Sequence, residues 1–245
     1  MLELRKSQDR GTGKQDWLEA RFTFSFGPYQ DPAHNGFSDL KLLNDDRVAP
    51  GGGFATHSHQ DMEVFSYVLA GALEHKDSMG EGSVVRAGDV IAMSTGSGIT
   101  HSEFNHSKSE PVHFFQIWVV PDRQGVAPRY QQKHFSDVDK RGHLRLLLSP
   151  DGADGSLGIY QDARIYAGLF DGTENFGLTL GGDRCAYVHV VRGGVSLNGT
   201  ALAEGDGVRV RGERQLIFDQ GRDAEVLVFD LREIKTTRAN GARRG

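Results

Sequence analysis

Short runs of β-branched and aromatic residues, each ended by a turn, recur along the chain, and this rhythm constrains the fold more than any other feature. Val64-Phe65-Ser66-Tyr67-Val68-Leu69 ends at Ala70-Gly71, and Val90-Ile91-Ala92-Met93 follows Gly88-Asp89. Val112-His113-Phe114-Phe115-Gln116-Ile117-Trp118-Val119-Val120 stops at Pro121. Such runs favour strands, and the glycine, proline and aspartate pairs between them favour turns. With 32 glycines among 245 residues, the pattern predicts an all-β protein of many short strands. The length alone suits one large β domain or two of ordinary size.

An internal repeat favours two. A polar stretch from Asp122 to Arg141 interrupts the strand pattern, and a second series runs from near Leu144 to Leu231, with turns at Pro150-Asp151-Gly152, Gly181-Gly182-Asp183, Asn198-Gly199 and Gly205-Asp206. Tyr187-Val188-His189-Val190-Val191-Arg192-Gly193 parallels Tyr67-Val68-Leu69-Ala70-Gly71, and Leu202-Ala203-Glu204-Gly205-Asp206 parallels Val85-Arg86-Ala87-Gly88-Asp89. The division expected from this is a first domain over 1–135, a linker over 136–144, a second domain over 145–232 and a basic tail over 233–245. Lys235, Arg238, Arg243 and Arg244 lie there among Thr, Ala, Asn and Gly, which reads as a flexible, solubilising tail.

Two pairs of residues in the first half carry metal-binding chemistry. His57-Ser58-His59 and His101-Ser102-Glu103 each sit on a strand or its entry. Side chains two apart on a strand share a face, so each pair offers two donor atoms to one point. Together they form a candidate site of three nitrogens and one oxygen. A strand-borne His-x-His is by itself often only a sheet surface, but a second pair with similar spacing weakens that reading. No His-x-His precedes Tyr187 and no histidine follows His189, so the second half is expected to lack the site.

The surroundings of the pairs resemble the two signature motifs of the cupin superfamily. Gly51, His57-x-His59, Glu63 and Gly71 fit the first motif, with one extra residue before the last glycine; Gly88, Ser94 in place of the usual proline, Gly96, His101 and Asn105 fit the second. At family level, Phe24-Ser25-Phe26-Gly27, Leu43-Asn44-Asp45-Asp46-Arg47-Val48, Leu73-Glu74-His75-Lys76-Asp77-Ser78, Gly96-Ser97-Gly98-Ile99-Thr100-His101-Ser102-Glu103, Gln116-Ile117-Trp118 and Asp122-Arg123 resemble the pirin family. The resemblance covers the chain from about residue 10 to the 230s. It implies two tandem cupin barrels, a bicupin, with one mononuclear metal held by His57, His59, His101 and Glu103 in the first barrel. It also implies a quercetin 2,3-dioxygenase-like activity in some members and transcriptional co-regulation in others. Glu63 competes for the fourth position because it ligates in many cupins; Glu103 is preferred for sharing a strand face with His101 and for matching the pirin pattern. Glu63 is then expected to bond a ligand or steady an imidazole.

Three imidazoles and a carboxylate suit one divalent transition metal, Fe(II) first, with Mn(II), Co(II), Ni(II), Cu(II) or Zn(II) also compatible. The leading reading is a dioxygenase that opens a flavonol-like ring, taking a small aromatic substrate and O2, with Glu103 accepting the substrate's hydroxyl proton. The rivals are a metal-binding regulatory protein with a protein partner and a nonredox metal enzyme such as an isomerase.

Composition narrows the rest. A single cysteine, Cys185, excludes an intramolecular disulfide and reads as a small buried residue. The net charge of -5 argues against general nucleic-acid binding. Met1-Leu2-Glu3-Leu4-Arg5-Lys6 has no secretory apolar core and no apolar stretch reaches membrane-spanning length, so a cytoplasmic protein is expected. His34, His106 and His134 read as solvated, and His75, His113 and His189 as satisfied structural residues, while His143 tells little. Phe54, Phe65, Met93, Phe104, Phe115 and Trp118 are either core or the lining of a flat aromatic pocket.

Overall fold

The computed structural model describes residues 1–80 and 82–234, and within them two β-barrels lie in tandem. The first barrel has two facing sheets. One is seven-stranded, in the order Arg129–His134, Asp89–Ser94, Glu63–Ala70, Val112–Val119, Leu40–Val48, Leu18–Phe22, Gly11–Gln15. The other is four-stranded, in the order Gly53–His59, Ile99–Asn105, Ala72–Asp77, Gly82–Arg86. The second barrel is one nine-stranded sheet built on the long strands Arg184–Leu197 and Gln215–Arg232. This is the expected bicupin.

Alternation along the strands divides the core. Phe65 and Tyr67 pair across the ladder with Ile117 and Phe115. These four join Tyr187, Leu227, Phe229 and Leu231 of the second barrel in one buried cluster between the barrels. Each such side chain contributes about 1.5–3 kcal/mol on burial, so this shared face joins the barrels firmly. The residues in between, Ser66 and Gln116, must point the other way, into the first barrel. Deeper in that barrel, Val48, Val68, Leu73, Val85, Ile91, Val112 and Phe114 close its end.

The repeat is visible in the turns. Asp89 accepts the backbone N–H of Arg86 at 2.9 Å, and Asp206 accepts that of Ala203 at 3.1 Å. In each turn the residue before the aspartate is a glycine in the left-handed region, Gly88 at φ +85° and Gly205 at +79°. A side chain there would be strained.

Three segments differ from the sequence expectation. Leu2–Arg5 pairs with Gly207–Val210, so residues 2–5, assigned above to the first domain, belong to the sheet of the second barrel. The polar stretch after Pro121 contains a strand, Arg129–His134, on the edge beside Asp89–Ser94. The expected linker holds a single helical turn, Asp137–Lys140, with a capping box between Ser136 and Asp139. The basic residues of the expected tail, Lys235 onward, lie outside the described residues. Among the described residues no helix is long and apolar enough to cross a membrane.

Candidate metal centre

Strand Gly53–His59 runs antiparallel to Ile99–Asn105, with His57 opposite His101 and Phe54 opposite Glu103. The register shifts between these two pairs, a bulge that adds one residue to the first strand. His57 Nε2 lies 3.1 Å from His101 Nε2, and the His59 ring centroid lies 4.9 Å from that of His57 and 5.0 Å from that of His101. One nitrogen from each of the three falls within 4.8 Å of the others. The Ala55 carbonyl accepts from His57 Nδ1 at 2.8 Å. A carbonyl cannot donate, so Nδ1 carries the proton and Nε2 is left as a lone pair.

Electrostatics favour the neutral form of His59 and His101. Burial, reinforced by His57, His59 and His75, pushes His101 down to about 2, and burial with His57 pushes His59 down to about 4. Neutral imidazole is the metal-binding form. Two ring nitrogens 3.1 Å apart need a proton or a cation to offset their lone pairs, and the donor set therefore fits a metal ion.

Glu103 is fully buried beside this cluster. Its Oε1 accepts from Ser66 Oγ at 2.9 Å and its Oε2 from Gln116 Nε2 at 3.1 Å. Burial, only partly opposed by the Ser66 bond, pushes it up to about 7. Its side-chain partners are the neutral Ser66 and Gln116, so a bound cation would complete its environment. Glu103 comes within 4.8 Å of His101 and His75, forming a second triple that shares His101 with the first. The four residues picked from sequence thus occupy two overlapping groups.

His75 is a correction. It reads from sequence as a satisfied structural residue, and its Nε2 does meet Asp77 at 3.2 Å, yet it stands opposite Glu103 on the neighbouring strand with Nδ1 buried and unpartnered. His189 is a second: it is fully buried with neither ring nitrogen bonded, and burial pushes it down to about 3. His34, His106 and His134, expected to be solvated, pair with Asp31, Glu74 and Asp89. Glu63 takes no part in the cluster. It lies on the opposite face of its strand from Ser66, accepts from Ser94 Oγ at 2.9 Å and from the Tyr160 backbone, and so faces the second barrel. Cys185 is buried, as expected.

An apolar cavity of about 380 Å³ opens within the first barrel, in the size range of small-molecule sites. Trp17, Phe22, Phe26 and Phe54 form its aromatic walls; Asn44, Asp46 and Gln116 line its polar side. Gln116 connects it to Glu103 by one hydrogen bond. Phe26 packs edge-on against Trp118 at 5.7 Å, and Trp118 against His59 at 5.0 Å. Of the six aromatic and methionine candidates, Phe54 lines the cavity and Trp118 borders His59. Phe65 and Phe115 lie between the barrels, Met93 packs with Val64 and Ile99, and Phe104 is exposed. Sequence reasoning missed Trp17, Phe22 and Phe26. The available signal was an aromatic-rich segment ahead of the first histidine pair.

Comparison with known proteins agrees with this architecture. Residues 3–119 match the family described as Pirin, and residues 146–231 match the Quercetinase C-terminal cupin domain. The chain is 42% identical over 231 residues to quercetin 2,3-dioxygenase of Escherichia coli K12, covering 94% of this chain and 99% of that protein. It is 37% identical over 232 residues to a pirin-like protein of Caulobacter vibrioides, covering 94% and 99%. The crystal structure of bacterial pirin YhhW from Escherichia coli in complex with nickel(II) matches with a TM-score of 0.91 and 41% identity, covering 96% of this chain and 100% of that one.

Proposed function

The chain belongs to the pirin family, and from that premise we propose that it is a metal-dependent dioxygenase of the quercetin 2,3-dioxygenase type. It would open a flavonol-like ring with O2 at a mononuclear centre held by His57, His59, His101 and Glu103. The observation that carries this reading is an aromatic-walled cavity of about 380 Å³ whose Gln116 donates to the buried Glu103, which in turn lies beside His101 of the three-imidazole cluster.

A divalent transition metal bound there, Fe(II) as first choice and nickel(II) as in the Escherichia coli relative, supplies Lewis acidity and, where redox-active, a centre for dioxygen chemistry. The protein's own residues do the remainder. His57 is oriented by its bond to the Ala55 carbonyl, and Trp118 braces His59. Trp17, Phe22, Phe26 and Phe54 hold a flat ring and keep water from it. Glu103, fixed by Ser66 and Gln116, takes the proton of the flavonol 3-hydroxyl at a carboxylate oxygen.

Glu103→Gln tests the assignment. The amide keeps the size and an oxygen donor but removes most of the basicity. Metal retention should be partial, and metal-normalised oxygen uptake on quercetin should fall about 10²–10⁴-fold, the range of a general base. A variant as active per metal as the parent would remove Glu103 from the proton transfer.

A further inference from the structure

Inside the first barrel, Asn44 and Asp46 stand two apart on strand Leu40–Val48, so they share its inward face. Asn44 is opposite Gln116 in the ladder, and Gln116 is opposite Ser66. The row Ser66–Gln116–Asn44 therefore continues the polar surface that holds Glu103. Gln116 is used: its amide donates to Glu103. Asn44 and Asp46 are not. Each is 2% exposed, and the Oδ1 of each is buried without a hydrogen-bond partner. An unpartnered buried acceptor destabilises the fold, because its hydration is lost and nothing replaces it. Both residues line the cavity whose aromatic walls are Trp17, Phe22, Phe26 and Phe54.

Unused acceptors on one side of an aromatic cavity are the arrangement that reads hydroxyl groups on a flat ring. We propose that Asn44 and Asp46 are specificity-determining residues that accept hydrogen bonds from ring hydroxyls of the bound aromatic ligand and so select polyhydroxylated rings. This deepens, and rests on, the dioxygenase reading above. A ligand without those hydroxyls would leave both acceptors dry and unpaired, which is the condition under which a site discriminates strongly against an analogue.

The test uses metal-loaded full-length protein and two probes. Quercetin and 3-hydroxyflavone share the 3-hydroxyl and 4-carbonyl but differ in ring hydroxyls. Dissociation constants are measured anaerobically, and oxygen uptake is measured separately. The parent should bind quercetin at least about tenfold more tightly than 3-hydroxyflavone, and Asn44→Leu and Asp46→Leu should each reduce that ratio about 3–10-fold, the value of one hydrogen bond. Asp46→Asn, which keeps an acceptor and the size, should retain most of the ratio and serves if the leucine variants do not fold. Metal content reports on the integrity of the barrel throughout.

An unchanged ratio in the folded leucine variants, or loss of the ratio in Asp46→Asn equal to that in Asp46→Leu, overturns the assignment. So does a parent that binds the two flavonols equally. Selective binding that collapses in the variants but no oxygen uptake upholds the hydroxyl-reading residues and overturns the dioxygenase reading. Turnover with an unaltered ratio does the reverse, and failure to bind either flavonol overturns both.

Discussion

Tyr67 pairs with Phe115 in the first barrel as Tyr187 pairs with Phe229 in the second. One residue back along the same strands, the first barrel presents the row Ser66–Gln116–Asn44 and the second the row Ala186–Asp230–Arg164. The frameworks correspond, but the fillings do not. In the second barrel Asp230 is bridged by Arg184 at 2.7 Å, and below it Val188, Val190, Val208, Val226, Val228 and Phe218 make an interior free of histidine. In the first, the same level carries Glu103 with its two donors and the unpartnered acceptors of Asn44 and Asp46. Closing a barrel mouth with an ion pair over an apolar core favours stability. Leaving polar groups dry inside the other barrel lowers it, and such groups persist where a ligand completes them. The contrast supports the proposed reading, in which the first barrel takes the metal and the substrate and the second supports it.

The largest expected effect is on metal content. His57→Ala, His59→Ala and His101→Ala should each weaken metal binding by at least about 100-fold, above the upper end for residues that merely orient a ligand, while circular dichroism keeps the β signature. Elemental analysis should find one metal per parent chain. Full metal in all three variants, or a second metal that survives in His101→Ala, would break the contrast between the barrels.

A smaller and opposite effect is expected in the second barrel. Phe218 is fully buried and stacks on Phe170 with centroids 5.6 Å apart. Phe218→Ala should lower unfolding free energy by about 3–5 kcal/mol, read by urea titration, while metal per folded chain stays at the parent value. Loss of metal from the folded variant would show that the two interiors are not separate.

What the sequence disclosed follows the same division between local and long-range information. The two-residue spacing of His57 with His59 and of His101 with Glu103 is a local property of strands, and the turns ending in Asp89 and Asp206 are local too. These were legible. That His75 stands opposite Glu103 is a matter of register between two strands, which the spacing along either one does not encode. Trp17, Phe22 and Phe26 look alike as core or as cavity wall until the barrel closes around them. Arg129–His134 was hidden because an edge strand need not be apolar, and Leu2–Arg5 is too short to signal which sheet it joins. The preference for Glu103 over Glu63 came from its shared strand face with His101; strand alternation between Glu63 and Ser66, three apart, adds a second reason by turning Glu63 away from Glu103.

Glu63 supplies the smallest test, at the face where the barrels meet. Burial, against bonds from Ser94 and the Tyr160 backbone, pushes its carboxyl up to about 7 from an ordinary 4.5. Between those values the folded state holds a proton that the unfolded state has lost. Stability contributed by the neutral form is therefore complete below about pH 4.5 and lost as pH rises through about 7. The shift corresponds to at most about 3 kcal/mol. Glu63→Gln cannot titrate, so its stability relative to the parent should rise by up to about 3 kcal/mol between pH 5 and pH 8. Urea unfolding of both proteins, equally loaded with metal, gives this double difference and cancels any change in hydrogen bonding that is independent of pH. A difference of zero would mean that the carboxylate is hydrated in solution and that the seam between the barrels is open at Glu63. A pH-dependent gain accompanied by unchanged metal content would fix Glu63 as part of the seam and leave Glu103 as the carboxylate of the site.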